Sequence, residues 1–385
     1  MTESIAELLD LLRQNDGNND KKRLTKIIAE RFKLVQDRSV YSCREFALRF
    51  SASGNQNFSN TVLSLSNLQK VDDRPFLVCL VTPTKNYLLL ANTTFLKRIS
   101  HSSHELRVNN IRGSFNGSDI MREFEGIPNN NANIDRLFNI HAGIGFDGNL
   151  ARLVEATNDI SPTGKKFLPS VEQKTQIMLS PVRASVFIKS PDANTLKLEL
   201  DSKVQEFKNE ILLAALIENV NVRGRIIEYL IAGEDERLRD SIVAALKAGT
   251  KGIPPFKTEN DLGDYSREFD YYRTETDVKT KIMVLDSNPK AYNLDKMLEF
   301  LALERSVFMF YFVGVDPTQI ANTVLVSIFQ ESLLRSTILL KHWAGRNSRG
   351  VSQFEGRTIG RLIMQPETQI DLVAAKKFLQ EIIDL

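Results

Sequence analysis

One stretch limits the possible folds more than any other. Ser306-Val307-Phe308-Met309-Phe310-Tyr311-Phe312-Val313-Gly314-Val315 is apolar and carries no charge. It is rich in Val, Phe and Tyr, residues suited to a pleated, packed surface, and it reads as a hydrophobic strand. It is far short of the ~18 apolar residues that a membrane helix needs. Around it the texture is regular. A helix-like apolar segment runs from Val204 to Leu230, with a break expected at Asn219–Asn221, and a further helix from Asp235 to Lys247. Gly249-Thr250-Lys251-Gly252-Ile253-Pro254-Pro255 ends it. Two strands follow, Tyr265–Tyr272 and Glu275–Val284, then a helix from about Leu294 to Leu303, the apolar strand, and another strand at Asn322–Ser327. Helix, hairpin, helix and strand in that order is an α/β arrangement, so a parallel or mixed sheet is expected.

The first half reads differently. Ile5, Leu8, Leu9 and Leu12 have helical spacing, and after the turn formers Asn15–Asp20 a second stripe follows at Leu24, Ile27, Ile28 and Phe32. The polar face of that second helix carries Lys21, Lys22, Arg23, Lys26, Arg31 and Lys33, a solvated face with phosphate contact as the alternative. Phe76–Val81 and Asn86–Ala91 read as strands joined by a turn. Val182–Ile188 and Leu196–Leu200 also read as strands. This half is expected to be α+β, with a change of texture near residue 200. The domains predicted are therefore 1–200 and 201–385. At roughly 100–200 residues per domain, 385 residues suit about two.

Composition excludes little beyond this. Lys+Arg is 50 against Asp+Glu 48, a net charge of +2, which neither demands nor excludes nucleic acid. Cys43 and Cys79 form no CxxC pair, and so few thiols in a long chain fit a reducing compartment. Met1–Ile5 shows no signal-peptide pattern, so a cytoplasmic protein is expected. Gly143–Gly148 lacks the spacing of a nucleotide-binding glycine loop. His101 and His104 are three apart but have no placed third ligand for zinc, and no nucleophile elbow supports a Ser/His/Asp triad.

The hairpin carries the chemistry. Thr276-Asp277-Val278-Lys279-Thr280-Lys281-Ile282 alternates, so Asp277, Lys279 and Lys281 face one side of a strand. Asn260-Asp261-Leu262-Gly263-Asp264-Tyr265 lies just upstream, and a strand pair folding back can set Asp264 beside Asp277. Two close carboxylates repel each other and gain by sharing a divalent metal; oxygen-only ligation suits Mg²⁺. This pattern resembles the PD-(D/E)xK nuclease superfamily, and type II restriction endonucleases in particular. Asp264 matches the first acid, with Gly263 where proline is often found, and Asp277 and Lys279 match the (D/E)xK element 13 residues downstream of it. Glu228 matches the acid that many members carry on the preceding helix, and Ser287–Asn293 resembles the segment that opens the next one. The resemblance covers roughly 205–330, about a third of the chain. Asp261 is the runner-up for the first acid, and Asp270 falls in or beside the turn.

The resemblance implies a restriction-endonuclease-like core, a central mixed sheet flanked by helices. It implies Mg²⁺-dependent, sequence-specific hydrolysis of double-stranded DNA to 5′-phosphates, with metal held by Asp264, Asp277 and Glu228 and water oriented by Lys279. It also implies a homodimer on a palindromic site and a cognate DNA methyltransferase in the same system. The alternatives are a repair or phage-defence nuclease of the same superfamily without a defined site, and a non-catalytic DNA-binding protein. Two segments are candidates for DNA contact. Arg346, Asn347, Arg349 and Gln353 lie in a glycine-flanked stretch beside Trp343, with side chains that can read guanine and adenine edges. The 97–122 region, rich in donors, offers Lys97, Arg98, Arg107 and Arg112.

Overall fold

A computed structural model describes residues 3–54, 62–102, 113–159, 166–249, 254, 262–285, 287–341 and 348–385. They form two compact units, one of described residues up to Asp159 and one of described residues from Lys166 onward. Both mix helices and sheets, an α+β protein overall. No helix among the described residues is long and apolar enough to cross a membrane.

The first unit opens with the helices Glu3–Gln14 and Lys21–Arg31, the second started by Asp20, whose side chain accepts from the Arg23 amide. Its main sheet has the order Val35–Asp37, Val40–Ser42, Ala47–Ala52, Phe76–Val81 and Asn86–Leu90, with only Ala47–Ala52 and Phe76–Val81 parallel. The period of two sorts the strand Phe76–Val81 between two cores. Phe76, Val78 and Leu80 join the cluster of Phe115, Leu150 and Leu153, while Leu77, Cys79 and Val81 join that of Ile5, Leu8 and Ile28. Burial pushes the Cys79 thiol up to about 12, so this cysteine is an inert core residue. His141 is buried too, its ring nitrogens bonded to Thr94 Oγ1 (2.8 Å) and the Asp72 carbonyl (2.7 Å), a structural role.

The second unit begins with two helices, Val171–Phe187 and Pro191–Glu206. They correct the strands expected at 182–188 and 196–200. Ser170 and Gln173 form a capping box at the start of the first, and Ser190 caps the second with Pro191 in its first turn. Residue 200, where the change of texture was read, falls inside the second helix, and both helices belong to this unit. Pro181 interrupts the first helix and cannot donate to the Ile177 carbonyl; the Ser180 hydroxyl donates to that oxygen instead, at 2.7 Å.

Helices Lys208–Ala215, Val220–Ala232 and Glu236–Lys247 follow, and Asn219, at the expected break, caps the middle one. The main sheet has the order Tyr265–Glu268, Arg273–Ile282, Ser306–Val315, Ile320–Ser327. It is mixed. The first two strands form an antiparallel hairpin, Arg273–Ile282 runs parallel to Ser306–Val315, and Ile320–Ser327 returns antiparallel. All ten residues of Ser306–Val315 are buried. A smaller sheet, Lys290–Asn293, Gly350–Phe354 and Thr337–Lys341, lays Tyr292 and Phe354 against Phe310, with ring centroids 5.9 and 4.9 Å away.

Candidate active site

The strand register assembles the cluster. Tyr265 pairs with Thr276, so the next position outward sets Asp264 opposite Asp277. The Asp264 amide donates to the Thr276 carbonyl at 2.9 Å. Gly263 permits this approach: a Cβ there would lie 2.8 Å from the Thr276 amide nitrogen and 3.0 Å from its carbonyl oxygen. The Asp264 side chain is then fixed by its neighbour strand, Oδ2 accepting from the Val278 amide at 2.8 Å.

Lys279 stands among three carboxylates. Its ammonium pairs with Asp277 Oδ1, lies 3.5 Å from Glu228 Oε1 and 3.9 Å from Asp264 Oδ2. Glu228 arrives from the helix Val220–Ala232, whose Ile226, Ile227, Leu230 and Ile231 anchor it in the core. The parallel partners of Asp277 and Lys279 are Phe310 and Phe312, so the floor beside the cluster is aromatic and dry.

These surroundings set the charges. Burial pushes the Asp277 carboxyl well up, Asp264 adds repulsion, and Lys279 opposes both. Glu228 is raised first by burial and also by Asp264, again against Lys279. Burial would lower Lys279, but Asp277, Glu228 and Asp264 outweigh it, and the ammonium is held charged. Lys279 is thus the cation common to all three buried or half-buried carboxylates, with Arg225 also acting on Glu228. The donor set is all oxygen, and two of its members are under-compensated, so it fits a hard divalent ion. Asp264 and Asp277, opposite each other across the hairpin, would be its direct ligands. No three His, Cys, Asp or Glu side chains among the described residues close on one point as a ready-made cage; the Lys279 ammonium holds the middle. Its flexible stem lets it yield that place.

The same strand face carries two more groups. Glu275, two residues before Asp277, is buried and accepts from the Ser266 hydroxyl at 2.7 Å. Sequence reading had passed over it, although the period of two that aligned Asp277 with Lys279 reaches it as well. Lys281, two residues beyond Lys279, is buried and donates to the Leu285 carbonyl.

The other predicted residues disperse. Arg349 is corrected: it is buried at 3% exposure, and its guanidinium is fully engaged. It pairs with Asp295 Oδ1 at 2.5 Å and donates to the carbonyls of Ile382 (2.7 Å), Phe167 (2.7 Å) and Ile383 (3.1 Å). No edge of a base can reach it. Gln353 sits on the strand Gly350–Phe354 and donates to the Asn288 carbonyl at 2.7 Å. Lys97 is exposed, and Arg98 pairs with the buried Asp119 at 2.7 Å. Arg107, Arg112, Arg346, Asn347 and the alternative acid Asp261 lie outside the described residues, as do His104 and Trp343. Asp270 is exposed in the hairpin turn.

The chain matches no known family profile, and no curated protein matches it.

Proposed function

We propose that this protein is a Mg²⁺-dependent DNA endonuclease of the PD-(D/E)xK kind, cutting double-stranded DNA at a defined site to leave 5′-phosphates. One observation carries the reading: Asp264 just ahead of the first hairpin strand, Asp277 on the second and Glu228 on a helix meet around Lys279. A divalent ion held by Asp264 and Asp277, with Glu228 completing its shell through water, would neutralise charge on the scissile phosphate and acidify a coordinated water. Asp264 is pre-oriented by the Val278 amide, so its carboxylate need not reorganise. Lys279 donates hydrogen bonds toward the attacking water and the phosphate oxygens. The aromatic floor at Phe310 and Phe312 keeps bulk water from that side of the carboxylates. With Arg349 in the core, sequence reading in this proposal falls to Lys97 and Arg98 and to the segments bearing Arg107, Arg112, Arg346 and Asn347.

Incubation of plasmid and phage DNA with the protein and Mg²⁺, read on a gel, tests this. Discrete fragments support site-specific cleavage. A smear turns the assignment to an unspecific nuclease of the same superfamily. A mobility shift without cutting makes the protein a DNA binder with a structural carboxylate cluster.

A further inference from the structure

The helix Val171–Phe187 is apolar on two opposite faces. At about 100° per residue, Ile177, Pro181, Ala184 and Phe187 share the inward side. There the helix packs on the helix Leu372–Asp384 and the strand Ser306–Val315. Val171, Thr175, Leu179, Val182 and Val186 fall within an arc of about 80° on the opposite side. The four apolar members of that stripe are 75%, 44%, 37% and 55% exposed in chain order. A surface helix normally turns charged residues outward, and one that is apolar on both sides normally has something on both.

The stripe matches itself in the antiparallel sense. A two-fold axis between Leu179 and Val182 would set Leu179 on Val182 of the partner subunit, and Thr175 on Val186 of the partner subunit. The same axis brings exposed Glu172 to exposed Lys189 of the partner subunit, twice over. Hydrophobic seam and flanking charges agree on one arrangement, which a parallel pairing would break by facing Glu172 with its own copy. We infer that the outer face of the helix Val171–Phe187 is an isologous interface between two copies of this chain, packed antiparallel. One helix of 17 residues is about 26 Å long. A seam of that length falls short of the ~800 Å² per partner of a standard interface, so the dimer is expected to form in the micromolar range.

The test is sedimentation of the full chain without DNA from about 1 µM to about 100 µM. Its outcome does not depend on whether the protein is a nuclease. The parent chain is expected to shift from monomer to dimer across that range. Val182→Asp, and separately Val171→Asp at the most exposed position, should weaken association at least about tenfold with an unchanged circular dichroism spectrum. Glu172→Lys and Lys189→Glu should each weaken it, and the double variant should restore it. A parent chain that stays monomeric throughout overturns the proposal. So does a dimer indifferent to both Asp substitutions, and a double charge swap that fails to restore association overturns the antiparallel arrangement.

Discussion

Replacing Arg349 by methionine should damage folding before it touches any activity. The guanidinium is buried, and three backbone carbonyls and one carboxylate oxygen depend on it. Methionine fills much of the volume and supplies none of those donors. Asp295 then keeps two amide bonds, from Arg349 at 2.8 Å and Phe167 at 3.2 Å, but loses its counter-charge. Removing one partner of a buried ion pair costs about 3–5 kcal/mol, most of it the penalty of the stranded charge. Asp295→Asn in the Arg349→Met background removes that charge, so the double variant should recover about 1–3 kcal/mol relative to the sum of the singles. Urea unfolding of the four proteins, followed by tryptophan fluorescence and circular dichroism, gives the cycle. An Arg349→Met chain within about 0.5 kcal/mol of the parent refutes the argument, because a surface arginine would behave that way.

Lys279→Ala should abolish DNA cleavage in Mg²⁺ while leaving DNA binding in Ca²⁺ intact; wild-type cleavage would sink the proposed site. Gly263→Ala should force the hairpin strands apart by several tenths of an ångström, since its methyl would meet Thr276 backbone at 2.8 Å. Displacing Asp264 by that much should slow cleavage by about 10–100-fold, with a thermal-melting loss of about 1–3 kcal/mol; an unaffected rate contradicts the geometry. Asp264→Asn should inactivate, and Asp261→Asn should not, in the same cleavage assay. Burial would raise Asp201, but hydrogen bonds from Lys197, Thr323 and Tyr311 outweigh it and hold the carboxyl below its ordinary 3.8. Its contribution is therefore present above pH 3.8 and lost as pH falls through that value toward the folded pKa. Asp201→Asn should cost about 1–3 kcal/mol near neutrality, and the gap to the parent should narrow in acid unfolding series; a gap that widens in acid reverses the sign.

The hairpin was legible because one alternating segment fixes which side chains share a face, and because Ser306–Val315 has no other use than as a buried strand. The Glu228 helix was legible within the long apolar, helix-like segment Val204–Leu230, after its break at Asn219–Asn221. The helix Pro191–Glu206 was misread for a definite reason. In Leu196-Lys197-Leu198-Glu199-Leu200, positions four apart share a face in a strand and nearly so in a helix. Leu196 and Leu200 are buried in either reading, and only Leu198, 59% exposed, tells them apart. In the structure Ser190 caps this helix with Pro191 in its first turn, and the strand reading took no account of that pair. Arg349 was misplaced because its partner Asp295 is 54 residues away and the carbonyls it serves lie at 167 and 382–383. A glycine-flanked arginine looks the same in sequence whether it faces a groove or a core.

Asp264 leads into the short strand Tyr265–Glu268, which forms one edge of the described sheet and is exposed over its last three residues. Ser306–Val315 is wholly enclosed. Edge segments open by local fluctuation at a fraction of the global unfolding free energy. Each such opening carries Asp264 away from Val278 while Asp277 and Lys279 stay seated on the adjoining strand. The cluster is therefore intact only while a four-residue ladder is closed. Amide exchange at 265–268 should set the working limit of the site, well below the denaturant concentration at which the central strand begins to exchange.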